Sequence, residues 1–140
     1  MSRLMQSVGY GLTIDLDGNV GSSGGNERSD VGIVQFALLM LRQKGGLLVP
    51  GSSIITVDGF FGTQTADYIA EYQKARVTLP GPGLGQLPPP NGNFGSIRKN
   101  ASWTIGVLKQ DVEKATFQNF IDLIRINRDS PPFLKSFFWI

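Results

Sequence analysis

The stretch Val57-Asp58-Gly59-Phe60-Phe61-Gly62-Thr63-Gln64-Thr65 constrains the fold more than any other part of the chain. A strand-like run (Ile54, Ile55, Val57) leads into an Asp-Gly turn, and a helix-like run leaves it. Asp can hydrogen-bond the backbone two residues on, and Gly takes φ > 0 without steric cost. Gly62 lets the chain bend again before Thr63 or Thr65 caps the next helix. Two weaker echoes stand at Asp17-Gly18-Asn19-Val20-Gly21 and Asn91-Gly92-Asn93-Phe94-Gly95. All three share the order Asp or Asn, Gly, any residue, apolar, Gly, which suggests a device used more than once. By sequence alone, the echo at 17–21 reads as an ordinary strand-ending turn.

The 140 residues fit one domain, and 41% hydrophobic residues suffice for a core. With 18 Gly and 8 Pro, much of the chain must be turn and loop. The net charge of +2 carries no basic stripe, and Arg98-Lys99 is too small a cluster to be a nucleic-acid footprint. The chain has no Cys and no His. That removes thiol nucleophiles, disulfides, imidazole acid–base work and His/Cys zinc sites together. No apolar run approaches the ~20 residues that span a bilayer. The N-terminus holds one Arg and no apolar leader core, so synthesis in the cytoplasm without a classical signal peptide is expected. Work at the cell envelope would then need a specialised machine or lysis.

Along the chain, Leu12, Ile14 and Leu16 alternate with polar residues and predict a short strand or hairpin within a Gly-rich lead-in, residues 1–29. A helix is predicted at residues 30–43, with Ser29 or Asp30 as N-cap and apolar residues nearly all round, the mark of a buried helix. A second helix is predicted at residues 63–76, followed by a Pro/Gly loop at 77–96. A third is predicted at 101–112, weakened by Gly106. A fourth, at 112–127, places Phe117, Phe120, Ile121 and Ile124 on one stripe and ends at Pro131-Pro132. The tail, residues 133–140, is largely apolar and aromatic.

The segment from Asp30 to Arg76 resembles the peptidoglycan-binding-like domain, a small three-helix cell-wall module of bacterial and phage lytic enzymes. In that family a helix of the form DVxxVQxxLxxLG precedes VDGxFGxxTxxAVxxFQ. Here the first part is Asp30-Val31-Gly32-Ile33-Val34-Gln35-Phe36-Ala37-Leu38-Leu39. The second is Val57-Asp58-Gly59, Phe61-Gly62, Thr65, Ile69 and Tyr72-Gln73. A further family segment, DGxxGxxTW, has a stretched counterpart in residues 91–96 and Trp103-Thr104, with Asn for Asp and a longer spacing. The resemblance covers about a third of the chain. It implies a mainly α fold: a peptidoglycan-binding-like core at residues 30–112, with a short N-terminal strand or hairpin before it and an extra C-terminal helix and aromatic tail at 113–140.

That resemblance implies a non-catalytic module that recognises peptidoglycan through glycan or stem peptide. The alternative is a structural or adaptor subunit that uses the same fold for protein–protein contact in a phage, secretion or toxin assembly. The candidate ligand contacts are Asp58, Phe60, Gln64, Tyr68, Tyr72 and Arg76. Phe60 stands out, since an aromatic next to Phe61 in a turn cannot easily point into the core with it. Phe133, Phe137, Phe138 and Trp139 are candidate docking residues for a partner or a second copy. Asp67 and Glu71, at i and i+4, are close enough to interact, but they fall on the outer face of their helix with nothing to raise a pKa and read as a polar exposed pair. No catalytic residue, metal ligand or cofactor site is expected.

Overall fold

The structure, a computed structural model, describes residues 3–7, 11–44, 54–78, 88–99 and 101–135. It is mainly helical. An antiparallel hairpin comes first, β1 (Arg3–Ser7) against β2 (Gly11–Asp15), in register from Arg3 opposite Asp15 to Ser7 opposite Gly11. A two-residue strand β3 (Val20–Gly21) precedes α1 (Arg28–Gln43) and α2 (Thr63–Thr78). Then come β4 (Asn93–Phe94), which pairs antiparallel with β3, and α3 (Ile105–Thr116). The short helices α4 (Phe120–Ile126) and α5 (Pro132–Lys135) follow.

The all-round apolar helix is the axis of the molecule. Every residue of α1 from Ser29 to Leu41 is buried. α1 packs chiefly against α3 and also touches α2, α5 and β3. Around it sit Ile14 and Leu16 from the N-terminal strand region, Tyr68, Ile69 and Tyr72 from α2, Trp103 and Leu108 from the α3 region, and Phe120 and Ile124 from α4. Each large side chain removed from water contributes about 1.5–3 kcal/mol, so this one cluster dominates the stability of a chain this size.

The three Asx-Gly turns are held in one manner. Each is gripped by a buried polar side chain from a helix. The Gln35 carboxamide oxygen accepts from Asp58 N (3.1 Å) and Gly59 N (2.8 Å), while its nitrogen donates to Phe60 O (3.0 Å) and Thr65 Oγ1 (2.9 Å). The Gln73 carboxamide on α2 repeats this on the second turn. It accepts from Asn91 N (3.1 Å) and Gly92 N (2.8 Å) and donates to Asn93 O (2.8 Å). In both turns the Asx side chain also accepts from the amide two residues on, Phe60 N or Asn93 N, each at 2.9 Å. Gly59 and Gly92 take φ of 80° and 75°, values that exclude most side chains. The third turn is gripped by a carboxylate: Asp17 N and Gly18 N donate to the two oxygens of Asp30, at 3.3 and 3.1 Å.

Several expectations are corrected. Ile54, Ile55 and Val57 lie outside any strand; the Gln64 side chain binds their backbone, accepting from Thr56 N (3.0 Å) and donating to Ile54 O (3.1 Å). Neither Ser29 nor Asp30 is the N-cap of α1, which starts after Glu27; Asp30 grips the first turn instead. The third helix begins at Ile105, four residues later than expected, because Trp103 is drawn into the core and Gly95 bridges Thr104. The fourth helix is short. Asn119 caps it, its side chain accepting from Ile121 N and Asp122 N. Phe117 leaves the apolar stripe: it closes α3 in the left-handed region at φ 57° and is 93% exposed. Pro131-Pro132 does not end α4, which stops at Ile126; Pro132 opens α5, where a missing N–H costs nothing. Within the loop expected at 77–96, α2 continues to Thr78 and β4 is a paired strand.

Replacing Gln73 by Leu keeps the volume but orphans the partly buried amides of Asn91 and Gly92 and the carbonyl of Asn93. The expected loss is about 3 kcal/mol of unfolding free energy, read by urea denaturation. A loss below about 0.5 kcal/mol, the range of an ordinary surface change, would refute the clamp.

Candidate functional site

Where the second turn meets the start of α3, the surface holds a hollow of about 190 Å³. Its walls are Asn19 and Ser23 on one side, Asn91, Asn93, Phe94 and Gly95 on another, and Ala101, Ser102 and Trp103 on the third. Tyr72, Phe94 and Trp103 form an aromatic cluster under it. Phe94 and Trp103 meet edge-on at 6.2 Å, Tyr72 and Trp103 edge-on at 6.3 Å, and Tyr72 and Phe94 lie tilted at 5.7 Å. Such pairs fix ring positions by quadrupole contact as well as area. Trp103 Nε1 donates to Pro89 O at 3.1 Å, which ties the Pro-rich segment to the same wall.

The rim is polar and uncharged. Asn93 is committed to structure: its side chain accepts from Ser23 N (3.1 Å) and donates to Asn91 O (2.9 Å). Among the described residues the side chains of Asn19 and Ser102 have no hydrogen-bond partner, and both residues are exposed. The hollow therefore offers the Asn19 amide and the Ser102 hydroxyl at its rim, while Phe94 and Trp103 behind them are buried, at 0% and 1% exposure. Its volume is below the ~300 Å³ at which pockets for drug-sized ligands begin, so it suits one ring of a larger ligand.

The segment that joins the second and third walls, residues 96–98, is held by Asp15, a fully buried carboxylate at the end of β2. It accepts from Ser96 Oγ (2.9 Å), Ile97 N (2.7 Å) and Arg98 Nε (2.6 Å). Arg98 continues to Leu16 O (3.1 Å) and Asp17 Oδ1 (3.3 Å). Burial by itself raises the Asp15 carboxyl. The Arg98 guanidinium and the donors of Ile97 and Ser96 outweigh that and hold it below its ordinary 3.8.

The candidate contacts named from sequence fall into two groups. Only Phe60 presents a large exposed face, at 67%. Asp58 holds its own turn, with Oδ1 between Phe60 N and Gln35 Nε2. Gln64 ties down residues 54–56, as described above. Tyr68 is buried, and its hydroxyl accepts from Arg42 Nε at 3.0 Å. Tyr72 is buried and donates to the Asp111 carboxylate, which Arg76 Nε also contacts at 2.9 Å. Burial first, then the adjacent Asp111 charge, push the Tyr72 hydroxyl well above its usual pKa, so it stays neutral. Of the tail residues, Phe133 is half-buried beneath the Arg28 guanidinium; Phe137, Phe138 and Trp139 lie outside the described residues. Asp67 is exposed and Glu71 half-buried on α2.

Comparison with protein-family models, with curated proteins and with solved structures finds no match to this chain.

Asp15 gives the fold a definite acid response. Because its folded pKa lies below the unfolded one, its stabilisation is complete above pH 3.8 and is lost as pH falls through that value toward the folded one. The stability gap between wild type and Asp15→Asn should be widest near neutral pH and narrow below about pH 4. Denaturant titrations of both proteins across that range measure it, and a gap independent of pH would refute the role.

Proposed function

We propose that this chain is a non-catalytic recognition module for bacterial cell-wall peptidoglycan, built on a peptidoglycan-binding-like core. The observation that carries this reading is the repeated clamp. The conspicuous motif residues of the resemblance are those that make it: Gln35 with Asp58, Gly59 and Thr65, then Gln73 with Asn91 and Gly92. The sequence likeness thus extends to a set of cooperating contacts, and the stretched second segment works as the first one does.

The hollow at the second turn supports the glycan side of the reading. A neutral rim of amide and hydroxyl groups matches the hydroxyls and N-acetyl groups that a sugar offers, and the buried rings of Phe94 and Trp103 hold that rim in place. An adaptor role draws on different residues: Phe60, Ile54, Ile126 and Phe117 are large, apolar and exposed.

Sedimentation with purified sacculi tests the module directly. The full chain should pellet with them, and soluble glycan fragments should release it. The double variant Asn19→Ala/Ser102→Ala, which alters only exposed side chains, should reduce the bound fraction by about tenfold, the effect of losing roughly two hydrogen bonds. A chain that stays in the supernatant and forms a stable complex with another protein would replace this reading by the adaptor.

A further inference from the structure

The first turn carries a second surface, built from residues that do not line the hollow. Arg28, the first residue of α1, lies across Gly59 with its guanidinium over two aromatic rings. The Phe133 ring centroid is 4.3 Å from Arg28 Cζ and the Phe60 centroid 5.5 Å. Arg28 Nε points to Asp58 O at 3.4 Å. Among the described residues, its two terminal nitrogens have no hydrogen-bond or ion-pair partner. The nearby acids are turned to other groups: Glu27 Oε1 accepts from Ser29 Oγ, and Asp58 Oδ1 from Phe60 N.

Contact with two rings, together with the Nε hydrogen bond, restrains a side chain that ordinarily loses much rotamer freedom when it binds. The cost of ordering the fork is therefore met within the fold, and the fork remains open on its outer edge. A guanidinium fork matches a carboxylate in two parallel hydrogen bonds. Beside it stands the exposed ring of Phe60, which a simple inorganic anion would leave unused. A ligand that uses both groups carries a carboxylate next to an apolar side chain. The last residue of a peptide has that arrangement, with its α-carboxylate and side chain on one carbon. We propose that Arg28 and Phe60 form a site for the C-terminal carboxylate of a peptide.

Titration of the full-length ¹⁵N-labelled chain with N-acetyl-alanyl-leucine, followed by NMR, tests this. The acid should shift the Arg28 Nε–H and the amides of Gly59 and Phe60, and the corresponding C-terminal amide should not. Arg28→Lys keeps the charge but loses the fork, and should weaken binding by about tenfold. Phe60→Ala should weaken the dipeptide while leaving the response to acetate unchanged. Equal shifts from acid and amide would overturn the site, as would unchanged affinity in Arg28→Lys. Inorganic phosphate binding as tightly as the dipeptide would overturn the assignment to a peptide end. If Arg28→Lys fails to fold, the acid–amide comparison on the wild type decides. Sacculus binding lost in Asn19→Ala/Ser102→Ala but retained in Arg28→Lys would show that the two surfaces act separately.

Discussion

A buried carboxamide is costly unless all its hydrogen-bonding capacity is used. Gln35 uses nearly all of it on one turn of backbone, and the rest of the structure follows from that. Its oxygen takes two amides and its nitrogen reaches a carbonyl and a hydroxyl. In exchange, the segment from Asp58 to Thr65 gains the partners that a β-ladder would otherwise supply. This explains why residues 54–57 can run extended without pairing. The segment is held from the side, by Gln64 and Gln35, in place of a neighbouring strand. A charged side chain could not do the same work: a carboxylate accepts but does not donate, and an ammonium donates but does not accept. Only the Asp17-Gly18 turn, which asks for two acceptors and no donor, is served by a carboxylate.

Asp15 extends the same logic to the C-terminal half. It is the one buried carboxylate that reaches from the hairpin to residues 96–98, and Arg98 carries the contact on to Leu16 and Asp17. Three polar anchors thus hold the segments around the hollow: Gln73 the second turn, Asp15 residues 96–98, and the indole of Trp103 the Pro-rich segment at Pro89. Its floor is apolar because the rings beneath it complete the core around α1. Its rim is uncharged because the ionisable groups nearby are spent on structure.

Much of this was legible in the residues. The buried character of α1 followed from its lack of a polar face, and the motif at 57–65 placed the start of α2 at Thr63. The shared Asx-Gly pattern marked all three turns, yet the residues that hold them were harder to see. Gln35 and Gln73 read only as parts of a motif, because a side chain's hydrogen-bond partner is set by packing 18 or 23 residues away. A sharper signal was present: a Gln inside an otherwise apolar stripe must be satisfied, and each is followed by an Asx-Gly turn. The end of α3 was missed for a different reason. Phe117 fits the apolar period of a continuous helix, but Thr116, Gln118 and Asn119 bond the local backbone and stop it. The tyrosines of α2 offered amphipathic side chains to a ligand in sequence terms; in the fold their hydroxyls meet Arg42 and Asp111 inside the protein.

The two glutamine clamps are linked in series. Gln35 stands on α1 and sets the turn from which α2 departs; Gln73 stands on α2 and sets the turn that walls the hollow. A fault at the first clamp misplaces the helix that carries the second, so both turns share one support. The dependence is mutual, because a coupling free energy is the same read from either end. The C-terminal half also reaches back to the first turn: the Phe133 ring of α5 lies 4.3 Å from Arg28 Cζ, so a change in the last helix is felt at the first turn as well.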